Sequence, residues 1–140
     1  MFDFWDYTVP KNTAESALKT VNCHISPGIL TDVRVYFPLG CAGVPKCRVR
    51  IGERPILPRS KGKYVTGDGA DVVALDIFEP TEGQLPYLKW ELWNPSTGHD
   101  HTLYLKATWI TTDEMAIERE LLAAMLNRLD LIAMKLTGAY

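Results

Sequence analysis

A chain of 140 residues with 46% hydrophobic and 23% charged residues is long enough for one folded domain and too apolar for a disordered one. Its formal net charge of -2 gives no electrostatic basis for binding nucleic acid. The N-terminal stretch MFDFWDYTVP lacks the basic start of a signal peptide. We therefore expect synthesis in the cytoplasm. No apolar run reaches the roughly 20 residues that cross a bilayer, so we expect no membrane partner.

Residues 1–110 carry the pattern of a mainly β protein. Strands are predicted at 4–9, 18–25, 29–37, 46–51, 71–79, 87–93 and 101–110. The alternation is clearest in KCRVRI, where the apolar residues Cys47, Val49 and Ile51 alternate with basic ones. The stretch 52–70, rich in Gly and Pro, is predicted to be an irregular loop with at most a short strand around 63–66. Short strands separated by turns predict an antiparallel β-sandwich or jelly-roll-like domain.

A single long α-helix is predicted after the last strand, so that 111–140 forms a C-terminal amphipathic segment. TTDE reads as a capping box with Thr111 as N-cap and Glu114 reaching back, and Gly138 closes a stretch without Gly or Pro. Apolar residues recur at helical spacing and form a stripe that we call the apolar stripe: Leu122, Met125, Leu126, Leu129, Ile132 and Leu136. Glu118 interrupts its heptad pattern. The stripe must be buried either on its own sheet or on a partner, and we expect a homo-oligomer.

Cys41 and Cys47 lie in YFPLGCAGVPKC, which raises the question of a redox or metal site. Their spacing differs from the C-x-x-C of zinc and thioredoxin-like sites, and no second pair follows. Cys47 falls in the inward register of its strand, where a free thiol acts as a small apolar side chain. A structural loop is therefore the preferred interpretation, with a disulfide or a metal site as alternatives.

Two further stretches resemble metal-binding patterns without completing them. His99 and His101 in GHDH offer two ligands, but a third would have to come from Asp68, Asp71 or His24. The stretch TGDGAD, even with Asp76, falls short of the spacing of a calcium loop. Motifs of serine hydrolases, dinucleotide-binding folds and P-loops are also missing from the sequence. We therefore predict that the protein is not an enzyme and has no catalytic residues, metal or cofactor.

Two surface features remain. If 87–93 and 101–110 formed a hairpin, Tyr87, Trp93 and Tyr104 would share an outward face, and mixed aromatic and charged residues suit an interface. That face would otherwise be covered by the helix or by the first strand. A basic segment is either a solvated surface or a patch for an acidic partner, and it comprises Lys46, Arg48, Arg50, Arg54, Arg59, Lys61 and Lys63.

Three stretches of the sequence resemble a known group of proteins: SPGILTDVRVYFPLGCAGVPKCRVRIGERPILP, GKYVTGD and LWNPSTGHDHTLYLKATWI. They are similar to small β-sandwich virion proteins of tailed bacteriophages, over roughly residues 17 to 110. The resemblance implies a structural protein such as a capsid decoration protein, with the major capsid protein or another virion protein as partner. The long C-terminal helix departs from the shorter members of this group.

We therefore expect a non-enzymatic structural protein of a phage particle that binds the outside of the capsid as an oligomer and is located in the virion. A glycan-binding module that stacks sugars on outward aromatic rings is the alternative. A metal-dependent enzyme using His99 and His101 is a third reading.

Overall fold

The computed structural model describes residues 1–75, 77, 79–81 and 87–138. It contains two antiparallel sheets and one C-terminal helix, as the sequence predicts. The strands are β1 Phe2–Val9, β2 Lys19–His24, β3 Gly28–Phe37, β4 Lys46–Ile51, β5 Arg54–Leu57, β6 Ala70–Ala74, β7 Glu79–Pro80, β8 Tyr87–Trp93 and β9 His101–Thr111. The helix α1 spans Thr112–Thr137.

The first sheet has the strand order β1-β9-β3-β6, with β7 paired to one end of β3. The second sheet has the order β2-β8-β4-β5. Every pairing between these strands is antiparallel. Consecutive strands often lie in different sheets, so most connections cross between the two layers rather than forming hairpins.

The core fills the space between the sheets with side chains from the inward register of each strand. Its largest fully buried members include Trp90, Phe37 and Leu30. Cys47, Val49 and Ile51 point into this core as their alternation predicts. The inward side chains of the two sheets bury one another, so the core is complete without the helix.

Two predictions about strands need correction. The stretch 52–70 contains β5, which pairs with β4 at the edge of the second sheet. Pro55 obscured this strand, although an edge strand tolerates proline. The strand predicted at 71–79 is observed as β6 and β7; residues 76 and 78 lie outside the described residues. Near 63–66, Val65 forms an isolated bridge with Cys47.

The end of β9 joins the helix through a close contact with the start of β3. Gly28 pairs with Thr111 there, and a Cβ atom at Gly28 would lie 1.9 Å from the Ile110 carbonyl oxygen. The backbone N–H of Thr112 donates to the carbonyl oxygen of Pro27 at 3.1 Å. The first turn of the helix is therefore anchored on the sandwich.

Candidate functional site

The helix leaves the sandwich and does not lie across either sheet. Within Thr112–Thr137, Met115 alone is partly buried, and every other side chain is exposed. The residues of the apolar stripe are between 53% and 82% exposed. The sequence left two ways to bury the apolar stripe, on its own sheet or on a partner. The structure does not show burial on its own sheet.

The apolar stripe is continuous on one side of the helix. At 100° per residue, its six members and Leu121 fall within an arc of about 140°. Leu121 is 61% exposed, like its neighbours. Glu118 lies in the middle of the same arc, one turn before the continuous part begins. The uninterrupted apolar surface thus runs from Leu121 to Leu136.

Charge is distributed unevenly along the same helix. Its first nine residues hold four acids and one base, namely Asp113, Glu114, Glu118, Glu120 and Arg119. Its second half carries Arg128, Asp130 and Lys135.

A hydrogen bond from the Thr111 backbone is the main cause that lowers the pKa of Glu114, so this carboxylate stays charged at the helix N-terminus.

The predicted aromatic face does not form, because β8 and β9 lie in different sheets and are not a hairpin. Tyr87 lies on the second sheet, edge-on to His24 at 5.7 Å between ring centroids. Trp93 is only 3% exposed, and both the Tyr64 ring, at 5.4 Å between centroids, and the Arg48 guanidinium, at 5.5 Å, pack against its ring. Tyr104 alone of the three projects from the first sheet. The shared interface predicted for these residues is therefore wrong in its geometry.

Tyr104 instead belongs to a different aromatic patch on the outer face of the first sheet. Tyr36 on β3 lies 6.2 Å from it between ring centroids, and Phe4 helps to line the same depression of about 220 Å³. Phe2 and Phe4 pack edge-to-face, and Lys106 lies 5.1 and 5.3 Å from their ring centroids. Sequence reasoning missed this patch because alternation shows which residues share a strand face but not which strands are neighbours.

The three cysteines are free and buried. Residues 38–45 form a connection from β3 in the first sheet to β4 in the second, so the Cys41 region is a loop between the two layers. The Asp68 carboxylate accepts a hydrogen bond from the Gly40 backbone at 2.7 Å, which gives this acid a role in fixing the loop. Burial raises the pKa of Cys23 and of Cys47 to about 12.

The two histidines considered as ligands lie in the turn before β9 and at the start of β9. The carbonyl oxygen of His99 accepts a hydrogen bond from the buried Asn94 side chain at 3.0 Å, within the turn before β9. His101 begins β9 and pairs with Val9. Among the described residues, no group of three or more His, Cys, Asp or Glu side chains is placed to hold a metal ion.

A buried carboxylate organises the outer face of the second sheet. Glu91 on β8 is 7% exposed at its side chain and accepts hydrogen bonds from Arg50 and from Arg48, the latter at 3.2 Å. Burial acts to raise the pKa of Glu91, but the hydrogen bonds from Arg50 and Arg48 outweigh it and leave the pKa below its ordinary value. Glu91 faces away from the core on β8, and its burial depends on the neighbouring arginines.

Comparisons with known proteins do not identify the chain. No protein-family model and no curated protein matches it. Among solved structures, it is similar to the crystal structure of PirA, with a TM-score of 0.35 and 12% sequence identity over 75% of this chain and 93% of that chain. A likeness this weak carries no argument about function. In the described part of the chain, no helix is both long enough and apolar enough to span a membrane.

Proposed function

We propose that this chain is a non-enzymatic assembly protein whose copies associate through the C-terminal helix, and that the oligomer is a structural component of a bacteriophage particle. The observation that carries the association is the apolar stripe, which stays more than half exposed along the described helix. Decoration of the outside of the capsid is the role that the resemblance of the turn motifs favours.

The free energy of association comes from burying the stripe. Isolated helices are marginal in water, and an amphipathic helix is stabilised mainly by packing its apolar face. Burying one Leu or Ile side chain fully is worth roughly 1.5–3 kcal/mol. Several such side chains act together here, and the closed sandwich offers them no inner face. A partner helix is therefore the natural site of burial.

A second copy of the same chain is the partner that the helix favours. Leu122, Leu129 and Leu136 repeat every seven residues, and Leu121 and Leu126 widen the surface beyond a narrow two-stranded seam. The acidic first half and the basic groups of the second half complement each other when a neighbouring copy runs antiparallel. That orientation also brings Glu118 of one copy towards Lys135 of the next and keeps the sandwiches apart.

Light scattering coupled to size-exclusion chromatography tests the association. The wild type should elute as an oligomer, and Leu129→Lys with Ile132→Lys should convert it to a monomer whose β-sheet circular dichroism is retained. The matched control is Ala123→Lys with Asn127→Lys, on the opposite side of the helix, which should stay oligomeric. A monomeric wild type, or a stripe variant whose sandwich unfolds, contradicts the proposal.

The virion role has its own test. Washed particles from an induced lysate of the bacterium that encodes the chain should contain it in a fixed ratio to the major capsid protein, measured by quantitative mass spectrometry. Its absence from washed particles would remove the virion role while leaving the helix-mediated association standing.

Glycan binding is a second candidate function, favoured by the exposed aromatic patch on the first sheet. Phe4 and Tyr104 are 61% and 46% exposed beside Arg34, Asp71 and Lys106. Aromatic rings stack on sugar faces, and flanking polar groups can hydrogen-bond sugar hydroxyls. A glycan array should give binding that Phe4→Ala with Tyr104→Ala abolishes. An array without any reproducible signal contradicts this function.

A further inference from the structure

A depression of about 290 Å³ opens on the outer face of the second sheet, where β4 and β8 meet the loop that follows β5. Its walls mix cationic and apolar groups. Four basic side chains line it, together with two carboxylates: Arg48, Arg50, Lys61, Lys63, Glu53 and Glu91. Pro55 and Pro58 supply apolar wall. Basic groups therefore outnumber acidic ones around the cavity.

The two carboxylates do not cancel this excess equally. Glu91 is nearly enclosed and shared between two guanidinium groups. Glu53 is 92% exposed at its side chain and lies 3.5 Å from Arg50, so water and salt screen its charge strongly. Lys61 and Lys63 are exposed and form no ion pair with the described residues.

The arginines are held in place before any ligand arrives. Nε of Arg50 donates to Glu91, and its Nη1 donates to the Gly52 carbonyl oxygen at 2.7 Å. Its Nη2 makes no hydrogen bond to the described residues, so part of the guanidinium fork remains uncommitted. Arg48 is fixed between Glu91 and the Trp93 ring. Such fixed donors lose little conformational freedom on binding.

We propose that this depression binds a small organic anion, whose carboxylate or phosphate group is held by Arg50 and the Lys61 and Lys63 ammonium groups. The apolar walls of Pro55 and Pro58 favour a ligand with a carbon body over a bare inorganic ion. The volume lies at the lower end of the range for ligand pockets, which suits a single sugar acid or sugar phosphate. This site is independent of the helix and of the aromatic patch.

Calorimetric titration of the full-length protein at low ionic strength tests the site. The probes are glucuronate for a carboxylate, glucose 6-phosphate for a phosphate, and glucose as the neutral control. At least one of the acids should bind saturably and glucose should not. The acid that binds more tightly identifies the preferred group. Equal binding of glucose, or no saturable binding of either acid, overturns the proposal.

Charge reversal locates the binding. Lys61→Glu with Lys63→Glu should weaken binding of the acid by at least about tenfold, since two charged donors are lost. The control, Lys11→Glu with Lys19→Glu, makes the same change in net charge at two exposed lysines outside the depression. It should retain affinity within about twofold. Equal losses in both variants would reduce the effect to overall charge and contradict the site.

Discussion

Thr111 and Glu114 cap the helix reciprocally. The backbone N–H of Glu114 donates to Oγ1 of Thr111 at 3.2 Å, and the backbone N–H of Thr111 donates to Oε2 of Glu114 at 2.8 Å. These bonds satisfy two of the donors that a helix N-terminus leaves open. The last residue of β9 thus also fixes the start of the helix.

Replacing Thr111 by Ala should destabilise the helix by about 1 kcal/mol, because one of the two capping bonds is lost. Thermal melting followed by helical circular dichroism measures this loss. Thr137→Ala, in the last turn, is the control and should have a smaller effect. An unchanged melting curve for Thr111→Ala would show that the cap does not hold the helix.

Replacing Gly28 by Ala should destabilise the sandwich by about 3 kcal/mol, because the added methyl group would collide with backbone. Denaturant unfolding followed by tryptophan fluorescence measures the change in the free energy of unfolding. Gly98→Ala is the matched control, since a Cβ atom there meets nothing within 4 Å. Equal stability of the two variants would contradict the close approach of β3 and β9.

Stability should fall in acid because of Glu91. Its pKa is lowered in the folded state, so its ionised form contributes stability that is present above the unfolded pKa and is lost as the pH falls through the folded pKa. Glu91→Gln should cost about 2 kcal/mol at neutral pH and less in acid, where the native carboxylate is protonated. Denaturant midpoints measured from pH 7 downward check this. A constant difference between the proteins would exclude Glu91 as the source.

The antiparallel arrangement proposed for neighbouring helices can be tested by exchanging the charges of Glu118 and Lys135. Glu118→Lys and Lys135→Glu should each weaken the oligomer, and the double variant should recover most of the loss, because the reversed charges again meet across an antiparallel pair. Dissociation midpoints from dilution series measured by light scattering provide the comparison. Additive losses in the double variant would exclude this pairing, and a parallel bundle would then be the better arrangement.

The elements that the sequence predicts well are those governed by local signals. The alternation around Val49 gives the bounds of β4, and Thr111 and Gly138 mark both ends of the helix. Strand partners depend on contacts far apart in the chain, so the separation of Tyr104 from Trp93 into two sheets could not be derived from their alternation. The enclosure of Glu91 likewise depends on arginines from another strand.

The same limit applies to the candidate sites. The apolar stripe is predictable because it repeats within one helix. The aromatic patch needs the register that places Tyr36 opposite Tyr104, and the anion site needs a loop folded over β4. The basic segment already contains the four cationic residues of the anion site, but the linear pattern does not show that they converge with Glu91 on one depression.

The buried thiols give the protein an internal reporter of its own opening. The thiolate is the nucleophile that attacks an alkylating reagent, and a pKa of about 12 leaves almost none of it at Cys23 and Cys47 while the sandwich is closed. All three cysteines lie before residue 48, so the helix contains none. Labelling of Cys23 and Cys47 therefore reports opening of the β layers and is silent when only the helices separate, which distinguishes unfolding from dissociation.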